Sequence, residues 1–334
     1  MSLVEVKGLE MHFQVGGGLF RPPATLRAVD GVSFAIERGE TLGLVGESGC
    51  GKSTLARALI RLYRPTAGQM LFDGTDIAGL SDREMIPYRK RIQMIFQDPL
   101  ASLDGRMSVR DLIAEPLDIL RIGTPAERNA RVNELLEKVG LSAAHAHRYP
   151  HEFSGGQRQR IGIARAIALN PDLVICDEPI SALDVSIQAQ VVNMLEVLQQ
   201  ELGLTYLFIT HDLSMVRHVA DRIGVMYLGR IVELAPAAQL YDNPRHPYTR
   251  LLLSAIPVPD PAARRDSAPA TDEVPSPLHI PSGCRFRTRC PLATEICARL
   301  DPESRDLGGG HQVACHHAEV PANGPLFNKE SVDA

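Results

Sequence analysis

The residues Gly46-Glu-Ser-Gly-Cys-Gly-Lys52-Ser53 follow the apolar run Thr41-Leu-Gly-Leu-Val45 and precede a helical pattern at Leu55, Leu59 and Leu62. Glycines at Gly46, Gly49 and Gly51 let backbone N–H groups turn inward around an anion, with Glu47, Ser48 and Cys50 between them, and a helix N-terminus adds a positive dipole end. The pattern is that of a phosphate loop. Lys52 would reach the β and γ phosphates, Ser53 would offer its hydroxyl to Mg²⁺, and Thr54 would help hold the α phosphate. The bland alternative, a glycine-rich surface turn, does not require the strand before and the amphipathic helix after.

A second pattern is Leu173-Val-Ile-Cys176 followed by Asp177 and Glu178. An apolar strand of this kind places both acids at the carboxyl edge of a sheet, where α/β proteins bind ligands. Asp177 suits Mg²⁺ coordination through a second shell. Glu178 suits polarisation of an attacking water.

Cysteine usage is uneven. Of six cysteines, Cys284, Cys290, Cys297 and Cys315 fall in the last fifth of the chain. Four thiolates suit a tetrahedral zinc ion or an iron–sulfur cluster. The spacings exceed the short pairs usual for structural zinc and suit a larger cubane; free thiols remain the plain alternative. Arg285, Arg287 and Arg289 would either offset the charge of a thiolate-bound group or face solvent or a partner. His311, His316 and His317 read as surface histidines.

The elements that must position these groups follow from periodicity. Leu42–Val45, Ile92–Phe96, Leu173–Cys176, Tyr206–Ile209 and Ile223–Tyr227 are buried-strand runs. Leu195, Leu198 and Leu202 repeat at helical spacing. The alternation predicts an α/β core with a mostly parallel sheet over residues 1 to about 255. Thr124-Pro125-Ala126-Glu127 reads as a capping box, with Val132, Leu135, Leu136 and Val139 on one face and Gly140 as the stop. That helix belongs to an α-helical insertion over about 98–165. Residues 256–282 read as a linker, with seven prolines between Pro257 and Pro281. A Cys-rich module over 283–320 and a frayed tail over 321–334 complete the chain.

Composition narrows the classes. The chain has 334 residues, 44% of them hydrophobic, and a formal charge of −5, which argues against a broad nucleic-acid-binding face. Mean hydropathy is −0.06, and no apolar run nears the ~20 residues of a membrane-spanning helix. The N-terminus lacks a signal-peptide core. A soluble, cytoplasmic protein is expected.

Residues 3 to about 250 resemble the ATP-binding cassette (ABC) ATPases. The resemblance rests on Phe153-Ser154-Gly155-Gly156-Gln157 together with the phosphate loop and the acidic strand. It implies a P-loop NTPase core of ABC type that sandwiches ATP between two chains. The Ser154–Gln157 signature would then contact the γ phosphate held by the opposite subunit. Gln97 matches the family's Mg²⁺-sensing glutamine, His211 its γ-phosphate histidine, and Asp184 its dimer-contacting loop. Phe13 aligns with the aromatic that stacks on adenine. Phe153 stands where leucine is usual.

His246-Pro-Tyr-Thr-Arg-Leu-Leu-Leu-Ser-Ala-Ile-Pro257 and Ser282-Gly-Cys284-Arg-Phe-Arg-Thr-Arg-Cys290-Pro are similar to the C-terminal extension of dipeptide/oligopeptide importer ATPases, and the chain looks most like the second of the two paired ATPases. That resemblance implies a 4Fe–4S cluster on Cys284, Cys290, Cys297 and Cys315, with zinc as the alternative. It also implies a heterodimer with a sister ATPase, two integral membrane permease subunits, a solute-binding protein reached through them, and a place on the cytoplasmic face of the membrane. The rival reading is a soluble ABC ATPase of translation or DNA repair. A protein that binds ATP without hydrolysing it is disfavoured by Glu178 and His211.

Overall fold

Two fourteen-residue strands open the chain, β1 (Ser2–Val15) and β2 (Ala24–Glu37). They pair antiparallel, with Val6 opposite Phe34 and Phe13 opposite Leu26. The computed structural model describes residues 2–17, 23–181, 183–256 and 275–319. The proline-rich linker expected over 256–282 and the tail over 321–334 therefore lie largely or wholly outside the described residues.

All of β3 (Thr41–Val45) is buried; it ends at the phosphate loop, from which α1 (Lys52–Leu59) starts. β4 (Ala67–Phe72) and β5 (Thr75–Asp76) join β1 in a four-stranded antiparallel sheet of order β2-β1-β4-β5. α2 (Ile86–Arg91) leads into β6 (Ile92–Ile95). Before β7 (Leu173–Asp177) come α3 (Pro99–Ser102), α4 (Val109–Ile119), α5 (Pro125–Lys138) and α6 (Gly155–Ile167). There follow α7 (Val185–Leu202), β8 (Thr205–Thr210), α8 (Leu213–Val219), β9 (Arg222–Tyr227) and β10 (Arg230–Pro236). The chain continues through α9 (Ala237–Asp242) and α10 (Pro247–Ser254), then α11 (Glu295–Arg299), β11 (Arg305–Asp306) and β12 (Gln312–Val313).

The second sheet has eight strands in the order β11-β12-β10-β9-β3-β8-β7-β6. From β6 to β9 it is parallel; β10, β12 and β11 add antiparallel. Both faces of its centre are covered, which is why its strands read as unbroken apolar runs. In β7, Ile175 enters one core with Leu44, Leu207 and α1, while Val174 and Cys176 enter the other beneath the later helices. The antiparallel sheet encloses the first core, with Leu3, Val6 and Leu9 buried against Leu55 and Leu59.

Three expectations change. The mostly parallel sheet is accompanied by a separate antiparallel one, whose register shifts along β1 and β2 blur the alternation that would have announced it. β11 and β12, at two residues each, are too short to leave a periodic trace, yet they extend the main sheet. The helix after the phosphate loop ends at Leu59, one turn short of Leu62. Arg61 takes a φ of +58° and bonds the carbonyls of Ile77 and Leu80, leaving Leu62 exposed.

Candidate functional site

The phosphate loop is shaped by backbone that side chains would obstruct. Gly46 has φ +156° and Gly51 φ +111°; a Cβ would lie 2.2 Å from the Met226 carbonyl at the first and 2.0 Å from that of Ala28 at the second. Lys52 is buried, and its Nζ donates to the carbonyls of Gly46 (2.6 Å) and Glu47 (3.0 Å). The ammonium is thus held across the loop whose N–H groups would receive a phosphate. Burial also pushes the Cys50 thiol up, against the lowering influence of Lys52.

β7 delivers the acids. Ser53 Oγ donates to Asp177 Oδ1 at 2.8 Å. Burial pushes the Asp177 carboxyl up, and that hydrogen bond opposes it. Glu178 takes a φ of +47° while its N–H donates to the Ile209 carbonyl of β8 at 2.9 Å. Gln97 Nε2, just past β6, donates to Glu178 Oε2 at 2.9 Å, and His211 Nδ1, just past β8, lies 3.3 Å from Glu178 Oε1. Three adjacent parallel strands therefore bring Gln97, Glu178 and His211 together at their carboxyl ends. With Gly46, Glu47, Ser48, Gly49, Cys50, Gly51, Lys52, Ser53 and Thr54 they line one cleft of about 610 Å³. The hydroxyl and carboxylate of Ser53 and Asp177, with the Gln97 amide, are hard oxygen donors that fit Mg²⁺.

Ser154 caps α6. Its hydroxyl accepts from Gln157 N–H at 3.3 Å, and Gln157 Oε1 accepts from Ser154 N–H at 3.1 Å, a reciprocal box. A Cβ on Gly156 would lie 2.7 Å from Ile187, so α6 and α7 approach closely there. Ser154, Gly155, Gly156 and Gln157 do not line the Lys52 cleft. Asp184 is the exposed N-cap residue of α7. The structure does not bring Phe13 into the cleft: its ring meets Tyr63 edge-on, 5.5 Å between centroids, and packs on the first core. Leu26, Arg27 and Ala28 line the cleft beside the loop instead.

Cys284, Cys297 and Cys315 are buried and Cys290 is half-buried; none of the four is in a disulfide. Burial pushes Cys290 up to about 12, and Cys315, Cys284 and Cys297 push in the same direction. Cys315 rises to about 11, again through burial and then its cysteine neighbours. Backbone N–H groups of Phe286 and Arg287, of Leu292 and of His317 point at Cys284, Cys290 and Cys315 respectively. No three of these sulfurs lie within 4.8 Å of one another, whereas a tetrahedral zinc with Zn–S near ~2.3 Å holds its sulfurs roughly 3.8 Å apart.

Two of the three arginines near these thiols are committed elsewhere, contrary to the expectation for them, while Arg287 bonds Ser282 at the exposed surface. Arg285 pairs with Asp30 of β2 and donates to the Leu228 carbonyl. Arg289 forks onto Glu47 of the phosphate loop. Nor is His311 a surface residue: it is buried, with Nε2 2.7 Å from Glu233 Oε1. His316 and His317 are half-buried, bonded to Leu300 O and Thr294 Oγ1 at 3.0 Å each. The arginine contacts were invisible in sequence because 242 residues separate Arg289 from Glu47.

A phosphate loop, an acidic strand end, a flanking glutamine and histidine, and a Ser-Gly-Gly-Gln helix start on one α/β scaffold define an ABC ATPase. Residues 29–181 match the ABC transporter family, and residues 232–297 match the oligopeptide/dipeptide transporter C-terminal region. The chain is 55% identical over 319 residues to the oligopeptide transport ATP-binding protein AppF of Bacillus subtilis, across 94% of this chain and 97% of that one. A putative peptide import ATP-binding protein of Brucella ovis is 56% identical over 313 residues, 94% of this chain and 97% of that one. Among solved structures, the ATP-binding cassette MJ0796, a post-hydrolysis dimer bound to ADP and phosphate, matches with a TM-score of 0.63 and 29% identity, over 70% of this chain and 98% of that one. The chain belongs to the oligopeptide/dipeptide family of ABC transporter ATP-binding proteins.

Proposed function

We propose that this chain is the ATP-hydrolysing subunit of an importer for di- and oligopeptides. The observation that carries the hydrolytic reading is Glu178, bracketed by Gln97 and His211 in the cleft that holds Lys52 and Ser53. Lys52 and the loop N–H groups bind the β and γ phosphates, and Thr54 the α phosphate. Ser53, Gln97 and Asp177 would hold Mg²⁺, which would supply positive charge against the transferring phosphoryl group. Glu178 accepts a hydrogen bond from the attacking water and orients it in line. Gln97 and His211 fix the carboxylate and face the γ phosphate. The Ser154–Gln157 helix start lies outside this cleft, so it acts on the nucleotide of a second chain, with Asp184 at the contact. The dimeric MJ0796 cassette supports that arrangement.

The second chain is a sister ATPase, and two membrane permeases fed by a solute-binding protein complete the assembly. The chain docks on those subunits at the cytoplasmic face of the membrane; no described helix is long and apolar enough to cross it. Residues 1–255 form the nucleotide-binding domain, with its helical part over about 98–165. Residues 283–320 form a Cys-rich module on which Cys284, Cys290, Cys297 and Cys315 hold a 4Fe–4S cluster. What favours the cluster over zinc is that no three of the sulfurs lie within 4.8 Å of one another and that backbone N–H donors are aimed at them.

The test is uptake of a radiolabelled tripeptide by cells lacking this chain. Wild-type protein restores uptake, and Lys52→Ala does not. Unchanged uptake in the deleted cells, with the protein free of membrane subunits in detergent extracts, would favour a soluble ABC ATPase.

A further inference from the structure

Glu47 places a carboxylate in a loop built to receive phosphates. Each of its polar groups is fixed. Its N–H donates to Tyr248 Oη at 2.9 Å, its carbonyl accepts from Lys52 at 3.0 Å, and its two carboxylate oxygens accept from Arg289 Nη1 and Nη2 at 2.8 and 2.9 Å. Such a fork matches a carboxylate in shape as well as charge. Arg289 is nearly buried, at 6% side-chain exposure, and its guanidinium lies over Phe286 and Tyr227, 5.7 and 5.8 Å from the ring centroids.

Arg289 stands next to Cys290, inside the loop that begins at Cys284. That loop is tied down by Cys284 N–H to Cys297 O at 2.8 Å and Arg289 N–H to Phe286 O at 3.0 Å. The guanidinium is thus carried by the same short loop that carries two of the four thiols. Without the guanidinium, Glu47 would add an uncompensated negative charge to the lining of the cleft that receives the phosphates, and like charges repel.

We propose that Arg289 is a positioning residue of the ATP site: it withdraws and neutralises Glu47, so nucleotide affinity depends on whether the Cys284–Cys290 loop is held by the group its thiols bind. The inference rests on the ATP-site reading above. Its consequence is an importer subunit whose ATP affinity reports the state of its cysteine site.

The test measures equilibrium binding of a fluorescent ATP analogue with Mg²⁺ to the full chain, alongside iron, sulfide and zinc content and circular dichroism. Arg289→Gln is expected to weaken binding about tenfold or more, with metal content unchanged. Glu47→Gln added to it is expected to recover much of the loss, which a merely structural defect would not allow. Cys297→Ser is expected to lose the bound group and weaken binding by a similar factor, and Arg289→Gln added to it to cost little more. Wild-type affinity in Arg289→Gln, no recovery by Glu47→Gln, or additive losses in the Cys297 pair would each overturn the proposal. The Glu47 rescue decides the matter even where Cys297→Ser does not fold. Failure of the wild-type chain to bind the analogue would instead overturn the ATP-site reading beneath it.

Discussion

Gly51 shows how tightly the phosphate loop is constrained. Its φ of +111° already disfavours any L side chain, and the Ala28 carbonyl occupies the place of a Cβ. Gly51→Ala is expected to lower ATP affinity at least tenfold, because β2 or the loop must give way; unchanged affinity in a binding titration would show that the loop conformation is not what binds phosphate. His246 behaves differently. It is fully buried, and its Nδ1 accepts from Tyr248 N–H at 3.1 Å to cap α10. Burial pushes its imidazole down to about 4 from 6.5, against the attraction of Glu233. The unfolded chain takes up a proton near pH 6.5 that the folded chain refuses until about 4, so stability falls as pH drops through that window. The melting temperature should decline across it, and His246→Asn, which keeps a capping side chain, should flatten the decline.

Two helices with the same local chemistry serve different ends. Thr124 and Ser154 both make reciprocal capping boxes, at α5 and α6. Thr124→Ala is expected to cost about 1 kcal/mol of stability and leave turnover intact. Ser154→Ala is expected to cost a similar amount in the melt and also reduce turnover more than tenfold, because its cap doubles as the contact to the partner's nucleotide. Equal turnover in the two variants would argue against that contact. The α5 box was legible residue by residue in Thr124-Pro125-Ala126-Glu127, because capping is local. The early stop of α1 was not: Leu62 fits the helical period, and what ends the helix is Arg61 reaching carbonyls at Ile77 and Leu80. At the site, Phe13 meets Tyr63 edge-on across fifty residues of chain, a contact that local sequence does not announce.

At the scale of the molecule, the chemistry was legible and its framing less so. Lys52, Ser53 and Glu178 could be named in advance from the phosphate-loop pattern and the acidic strand end, and Gln97 and His211 from the resemblance to the ABC ATPases; the five converge because parallel strands align their carboxyl ends. What joins the far end of the chain to that site could not be read, since pairs such as Arg285 with Asp30 and Arg289 with Glu47 span more than two hundred residues. The same holds for β12, which pairs with β10 at Glu233 opposite Val313. Through it the cysteine-bearing segment joins the sheet that carries the ATP site. The central claim is that this scaffold makes Glu178 the group that activates water while Lys52 and the loop bind nucleotide. The most direct measurement is phosphate release and ATP binding by Glu178→Gln beside the wild type. Binding retained with turnover lost at least a hundredfold is the expected result; wild-type turnover in Glu178→Gln would contradict it.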